Sequence, residues 1–153
     1  MVTGLLREMS IAIAKEEELS LQCMQQHYLL QGTGRETTGS ILMQLAINGS
    51  MRVEIMARIL GCLGQPPLKK REICLMEKTD SLEDMLRRDR VLLDEVIASY
   101  KSVLVLAERE EGCLLRESFE ELLADEEKHR AMLGALLAAP VTGGFPDNLQ
   151  REG

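Results

Sequence analysis

The sequence predicts an all-α fold of four long amphipathic helices, on three observations. Apolar residues recur every three or four positions in four separate stretches of the chain. No stretch alternates apolar and polar residues as a half-buried strand does. The strongest breakers, GTG at 32–34 and the paired prolines at 66–67, fall between these stretches. With 153 residues, the chain is expected to form a single domain, 1–153, that is large enough for one full core.

The first predicted helix runs from about residue 3 to residue 30 and ends at the glycines of GTG. Its apolar stripe is interrupted by Glu17, in the run KEEEL. This carboxylate has two interpretations: a solvated charge near the edge of the core, or a ligand placed inside it to bind a cation. The residues on the stripe are Leu6, Met9, Ile13, Glu17, Leu21, Met24 and Tyr28.

The second predicted helix, about 39–63, contains the unusual segment AINGSM at 46–51. Glycine in a helix interior costs about 1 kcal/mol relative to alanine, and Asn and Ser compete for backbone hydrogen bonds. A turn here would leave two halves of about ten residues, too short to be stable without strong tertiary support. Because the stripe keeps its phase across the segment, we predict one continuous helix. Its stripe comprises Ile41, Leu45, Asn48, Met51, Ile55, Ile59 and Cys62.

The third predicted helix follows a long irregular crossover, 64–79, which contains two prolines and the basic run KKR. Asp80 with Glu83 three residues later predicts a capping box at its start. The helix extends to about residue 110. Its stripe comprises Leu82, Leu86, Asp89, Leu93, Val96, Tyr100, Val103 and Ala107.

The fourth predicted helix, about 114–137, begins after Gly112 and carries a candidate metal-binding pair. Glu126 and His129, in DEEKH, are three residues apart, so both side chains can reach one metal ion. Such pairs are common by chance on solvated faces, but here both residues fall on the apolar stripe, where unpaired charges are rarely buried. The stripe comprises Phe119, Leu122, Glu126, His129, Leu133 and Leu136. Two hairpins joined by a long crossover predict a ferritin-like four-helix bundle, followed by a short tail or fifth helix.

Composition excludes several function classes. The net charge of −7 argues against nucleic acid as the main partner. No apolar run reaches the roughly 18 residues that a membrane span needs, and Arg7 and Glu8 break the N-terminal apolar stretch, unlike in a signal peptide. We therefore expect a cytoplasmic protein without a membrane partner. The four cysteines lie far apart without a CxxC pair, and we expect reduced thiols rather than disulfides or a thiolate zinc site.

Several segments make the chain resemble a bacterioferritin over nearly its whole length. They are LGQPP at 63–67, DMLRRDRVLLDEV at 84–96, ELLADEEKH at 121–129 and the terminal LQREG. The resemblance implies a cage of 24 four-helix subunits that oxidises ferrous iron at a buried di-iron centre and stores it as a ferric mineral. It also implies haem bound between paired subunits. The match is weakest in the first helix and around AINGSM.

Only half of the family's six iron ligands carry over onto this sequence. Glu17 matches the glutamate of the first helix, and Glu126 with His129 matches the ExxH of the fourth. Counting back from LGQPP for the second helix, and from DMLRRD for the third, finds positions without a ligand. These degenerate positions are Asn48, Met51 and Leu93.

The family's haem-binding methionine, one residue after the second-helix glutamate, is replaced by Gly49. A shifted alignment could use only Met51 or Met56, and neither combines the right face of the helix with the right height along it. Haem is therefore not expected from this subunit alone.

The lost ligands also change the charge balance. Two ferrous ions bring four positive charges, whereas Glu17 and Glu126 bring two negative charges, so at most one residual iron site is balanced. Without metal, either His129 gains a proton between the carboxylates, or one carboxylate keeps its proton.

Three functions remain open from the sequence. The chain is a storage and assembly subunit of a homo- or hetero-oligomeric bacterioferritin cage, lacking a complete ferroxidase centre and joining a complete haem-binding subunit. Alternatively, it is a working ferroxidase with a rebuilt or mononuclear iron site. As a third option, it is a ferritin-like scaffold or binding protein without iron storage. The missing ligands disfavour the second function and the length of the resemblance disfavours the third. The brief tail with Pro140 and Pro146 predicts that the family's fifth helix is missing or displaced.

Overall fold

The computed structural model describes residues 2–64, 81–109 and 113–138. These ranges contain four α-helices and no strand: α1 (Val2–Leu29), α2 (Glu36–Cys62), α3 (Leu82–Arg109) and α4 (Cys113–Ala138). The predicted all-α four-helix architecture is confirmed, and every helix end lies within about three residues of the predicted position. The predicted crossover, the cap at Asp80, the break at Gly112 and the tail lie outside the described residues.

The helices pack around one apolar core. α1 lies along both α2 and α3, α3 also lies along α4, and the contact between α2 and α4 is smaller. A tight turn joins α1 to α2, so these two helices form a hairpin. In this turn Gly32 and Gly34 have φ angles of 75° and 82°, which glycine adopts without strain, and Thr33 donates to the Leu30 carbonyl at 2.6 Å.

The predicted stripes of α3 and α4 are confirmed. All eight stripe residues of α3 are buried, and only the last of the six on α4, Leu136, is partly exposed. Ser81 caps α3, because its hydroxyl accepts a hydrogen bond from the Asp84 N–H at 3.1 Å. Both helices therefore present to the core the face that their periodicity predicts.

The predicted stripes of α1 and α2 are wrong in part. Tyr28 is 58% exposed, and Met51 and Ile55 are 59% and 42% exposed; Cys62 is exposed as well. The prediction of a continuous α2 is confirmed, with Ser50 donating to the Ala46 carbonyl at 3.1 Å inside the helix. Its buried residues are Gly39, Leu42, Leu45, Ala46, Gly49, Arg52, Met56 and Leu60. The stripe was misplaced because α2 carries apolar side chains on two faces.

None of the helices in the described ranges combines the length and the apolar character needed to cross a membrane.

Candidate functional site

Polar side chains from all four helices meet inside the bundle, where most neighbours are apolar. The tyrosine and both carboxylates have no exposed surface, and the two basic side chains are nearly as buried. We call these five residues the central polar cluster. They are Glu16 of α1, Arg52 of α2, Tyr100 of α3, and Glu126 and His129 of α4.

The guanidinium of Arg52 lies between the two carboxylates of the central polar cluster. Its Nε donates to Oε1 of Glu16 at 3.0 Å and lies 2.7 Å from Oε1 of Glu126. Its Nη2 lies 2.9 Å from the same Glu16 oxygen. No group in the described residues meets hydrogen-bond geometry at the Glu126 oxygens, so the attraction between Arg52 and Glu126 is ionic. One cation therefore serves two buried carboxylates and links α1, α2 and α4.

His129 is held by two side chains of α2. Nη2 of Arg52 lies 3.0 Å from Nδ1 of the imidazole, and because a guanidinium only donates, Nδ1 accepts this bond. The amide of Asn48 lies against Nε2, at 3.2 Å. A neutral ring with an accepting Nδ1 carries its hydrogen on Nε2. The Asn48 oxygen accepts this hydrogen once the amides of Asn48 and Gln44 are both turned over, because the Gln44 amide contacts the other end of the Asn48 amide at 2.9 Å.

The protonation of His129 differs from one of the two sequence-based alternatives. Burial, followed by the nearby Arg52, lowers the pKa of His129 to about 4, so the imidazole is neutral at neutral pH. The expectation that His129 gains a proton between two carboxylates is therefore wrong, because Arg52 occupies that place.

The other alternative, in which one carboxylate keeps its proton, was stated for Glu17 and Glu126, but Glu17 is exposed and the buried partner of Glu126 is Glu16. Burial raises the pKa of Glu16 well above its ordinary value, and the adjacent Glu126 raises it further. The Tyr100 hydroxyl donates to Oε2 of Glu16 at 3.0 Å, and burial also raises the pKa of Tyr100. The guanidinium of Arg52, next to both groups, offsets negative charge on these buried carboxyl groups.

The structure brings together only some of the predicted ligands. Oε2 of Glu126 lies 3.7 Å from Nδ1 of His129, as the ExxH spacing predicts. Glu17, however, is on the exposed side of α1, and Glu16 holds the place expected for it. Any glutamate of KEEEL could have faced inward, and the packing of α1 against α2 and α3 selects the first.

The three degenerate positions lie in different surroundings. Leu93 is 1% exposed and adds only apolar volume to the core. Asn48 is half-buried beside His129, whereas Met51 is on the outer face of α2. The buried pair spaced by three residues on α2 is instead Gly49 and Arg52.

Gly49 explains the AINGSM segment. A Cβ built at this position would lie 2.0 Å from Oγ of Ser20 and 2.9 Å from Oε1 of Glu16. Glycine therefore allows α1 to approach α2 next to the ion pair of Glu16 and Arg52. Gly49 is buried on the inner face and offers no haem ligand.

The residues present do not fit a di-iron centre. Within the described part of the chain, no group of three or more His, Cys, Asp and Glu side chains is arranged to hold a metal ion. The guanidinium of Arg52 lies within 3.0 Å of Glu16, Glu126 and His129. A metal ion bound by these donors would have to lie against a fixed positive charge.

Neither Arg52 nor Glu16 is identified by the sequence pattern. Leu45, Arg52 and Met56 lie on one side of α2, at spacings of seven and four residues. Gly49 lies on the same side and interrupts the apolar pattern of these positions. An arginine aligned with apolar residues was the available signal for a buried cation.

Asp89 of α3 forms a second buried polar site. Its Oδ1 accepts hydrogen bonds from the amides of Gln22 and Gln26, at 2.6 Å and 2.7 Å. Oδ2 has no hydrogen-bond partner among the described residues. Burial raises the pKa of Asp89 to about 7, although the two amides lower it.

An apolar groove of about 480 Å³ follows the outer face of the α1–α2 hairpin. Ile47 and Met51, which line it, are 48% and 59% exposed. Contiguous exposed apolar surface of this kind is typical of interaction sites.

Comparison with protein families finds one match. The sequence model of the ferritin family, described as a ferritin-like domain, matches residues 8–139 and so includes the whole central polar cluster. No curated protein matches the chain.

Proposed function

Because the chain belongs to the ferritin-like family, we propose that it is an iron-storage cage subunit of the bacterioferritin type with an incomplete ferroxidase centre. In this proposal a complete bacterioferritin subunit in the same particle oxidises the iron and binds the haem. The observation that carries it is the position of Arg52 between Glu16 and Glu126. An iron-oxidising centre needs its carboxylates for metal ions, and here they are already paired with a side chain.

The ligand count supports the same conclusion. The central polar cluster offers two carboxyl groups and one imidazole, and the buried Leu93 and Gly49 beside it supply no further ligand. Two ferrous ions would bring four positive charges next to that of Arg52. Such a concentration of buried charge is too costly without more carboxylates.

Assembly is supported by the outer face of the α1–α2 hairpin. Its apolar groove, with the exposed Ile47 and Met51, provides surface that packing against another subunit would bury. A subunit can therefore contribute to the shell of a cage and its mineral-containing interior without contributing an oxidation site.

The test measures iron and haem in size-fractionated particles. The chain, carrying the only affinity tag, is expressed alone and together with a bacterioferritin that has all six ligands, and the latter expressed alone is the control. We expect the chain alone to oxidise ferrous iron no faster than buffer. We expect the tagged particles from co-expression to be cage-sized and to contain iron and haem.

Two results would contradict the proposal. Iron-filled particles from the chain alone, with oxidation lost in His129→Ala, would instead mean a working ferroxidase with a rebuilt site. Absence of any 24-subunit particle in both expressions would mean a scaffold or binding protein outside iron storage.

A further inference from the structure

The central polar cluster contains three side chains of the kinds that bind divalent metal ions, and one that supplies a positive charge itself. We propose that the guanidinium of Arg52 is a built-in replacement for a metal ion. Glu16, Glu126 and His129 form a single-cation site that Arg52 fills, and a divalent cation can bind there when the guanidinium is removed. The inference concerns one subunit and does not rest on cage assembly or iron storage.

The three donors are not arranged to hold a metal ion as they stand, but all three surround the guanidinium of Arg52. Atoms of the same guanidinium lie 3.0 Å from Glu16, 2.7 Å from Glu126 and 3.0 Å from Nδ1 of His129. Truncation of Arg52 to alanine would empty the space between them. Zinc-like ions bind carboxylate oxygen and imidazole nitrogen at about 2.0–2.2 Å, so small side-chain movements would close the site, and water can complete the coordination.

Two of the donors are held by contacts that do not involve Arg52. The Tyr100 hydroxyl donates to Oε2 of Glu16 at 3.0 Å, which leaves Oε1 directed at the guanidinium. The amide of Asn48 contacts Nε2 of His129 at 3.2 Å, which leaves Nδ1 directed at the same group. The donors would thus remain oriented after Arg52 is removed, and such outer contacts are what orient ligands in metal sites.

The charges limit the site to one ion. A divalent cation balances Glu16 and Glu126, and the buried Leu93 adds no donor for a second ion. In the natural chain the guanidinium excludes such an ion by charge and by volume. Arg52 therefore provides the cross-link between α1, α2 and α4 that a bound ion would otherwise provide.

The experiment compares the natural chain, Arg52→Ala and Arg52→Lys in a cobalt titration of the purified protein. Visible absorption reports coordinated Co²⁺, and thermal unfolding reports stability in the same samples. We expect Arg52→Ala to unfold at a lower temperature than the natural chain, to bind one Co²⁺ per subunit, and to regain stability when it does. The natural chain should neither bind Co²⁺ nor become more stable when it is added. The same is expected of Arg52→Lys, which keeps a positive charge.

Matched second substitutions in the Arg52→Ala background locate the ion. Glu16→Gln and His129→Ala should abolish the absorption, whereas Glu17→Gln, adjacent in sequence but exposed, should leave it unchanged.

Several outcomes would overturn the proposal. Equal cobalt binding by the natural chain would mean that the guanidinium does not exclude the ion. Binding by Arg52→Ala that survives Glu16→Gln would place the ion elsewhere. Failure of Arg52→Ala to fold even with excess cobalt would also refute it, because the ion would then not replace the guanidinium.

Discussion

Substituting Gly49 with alanine tests the close approach of α1 and α2 beside the central polar cluster. The new Cβ would lie 2.0 Å from Oγ of Ser20 and 2.9 Å from Oε1 of Glu16, both far inside contact distance. Oγ of Ser20 has no hydrogen-bond partner among the described residues, so it can rotate away. Glu16 is less free, because its Oε1 is bound to Arg52 at 3.0 Å.

Two opposing contributions determine the size of the effect. Alanine is better than glycine in a helix interior by about 1 kcal/mol. Overpacking of a well-packed core costs about 1–3 kcal/mol. We therefore expect the free energy of unfolding of Gly49→Ala to range from unchanged to about 2 kcal/mol lower than that of the natural chain.

The matched control is Gly134→Ala, inside α4. A Cβ at Gly134 meets no atom within 4 Å, so only the gain of up to about 1 kcal/mol remains. Urea unfolding followed by far-ultraviolet circular dichroism should show Gly49→Ala less stable than this control by about 1–3 kcal/mol. Adding Ser20→Ala to Gly49→Ala should recover part of the loss. If Gly49→Ala is as stable as Gly134→Ala, the inferred close approach is refuted.

Three further predictions concern other parts of the molecule. The pKa of Asp89 is raised to about 7, so its contribution to stability is present below its unfolded pKa and is lost as the pH rises through about 7. Asp89→Asn, which stays neutral and keeps an acceptor for both glutamines, should therefore raise the free energy of unfolding at about pH 8 by up to about 4 kcal/mol. Urea unfolding at several pH values measures this, and an unchanged pH dependence would contradict it. Tyr100→Phe removes the donor to Glu16 and should cost about 1–3 kcal/mol in thermal unfolding; an unchanged midpoint would show that the hydroxyl is not needed. Met51→Glu places a charge in the outer apolar groove, and size-exclusion chromatography should show smaller particles of unchanged helix content, whereas unchanged particles would place the subunit interface elsewhere.

The sequence by itself determined the four helices, their approximate ends and the inward faces of α3 and α4. On α3 one face is clearly more apolar than the others, so the helical period alone places Leu93 correctly. On α4 the asymmetry is weaker, and the in-phase repeat of Phe119, Leu122 and Leu133 places Glu126 and His129. Their approach to one another also follows, because Glu126 and His129 are three residues apart on one helix.

Only the tertiary structure decided which faces of α1 and α2 point inward. KEEEL offers three consecutive glutamates, and α2 has apolar residues such as Ile47 and Met51 outside as well as inside, so periodicity leaves the phase open to an error of one residue. The packing of four helices settles that choice, because it selects the phase that buries the most apolar surface while pairing the buried charges of Glu16, Arg52 and Glu126. Arg52 acquires its role only when folding brings Glu16 and Glu126, 110 residues apart in the sequence, to the same guanidinium.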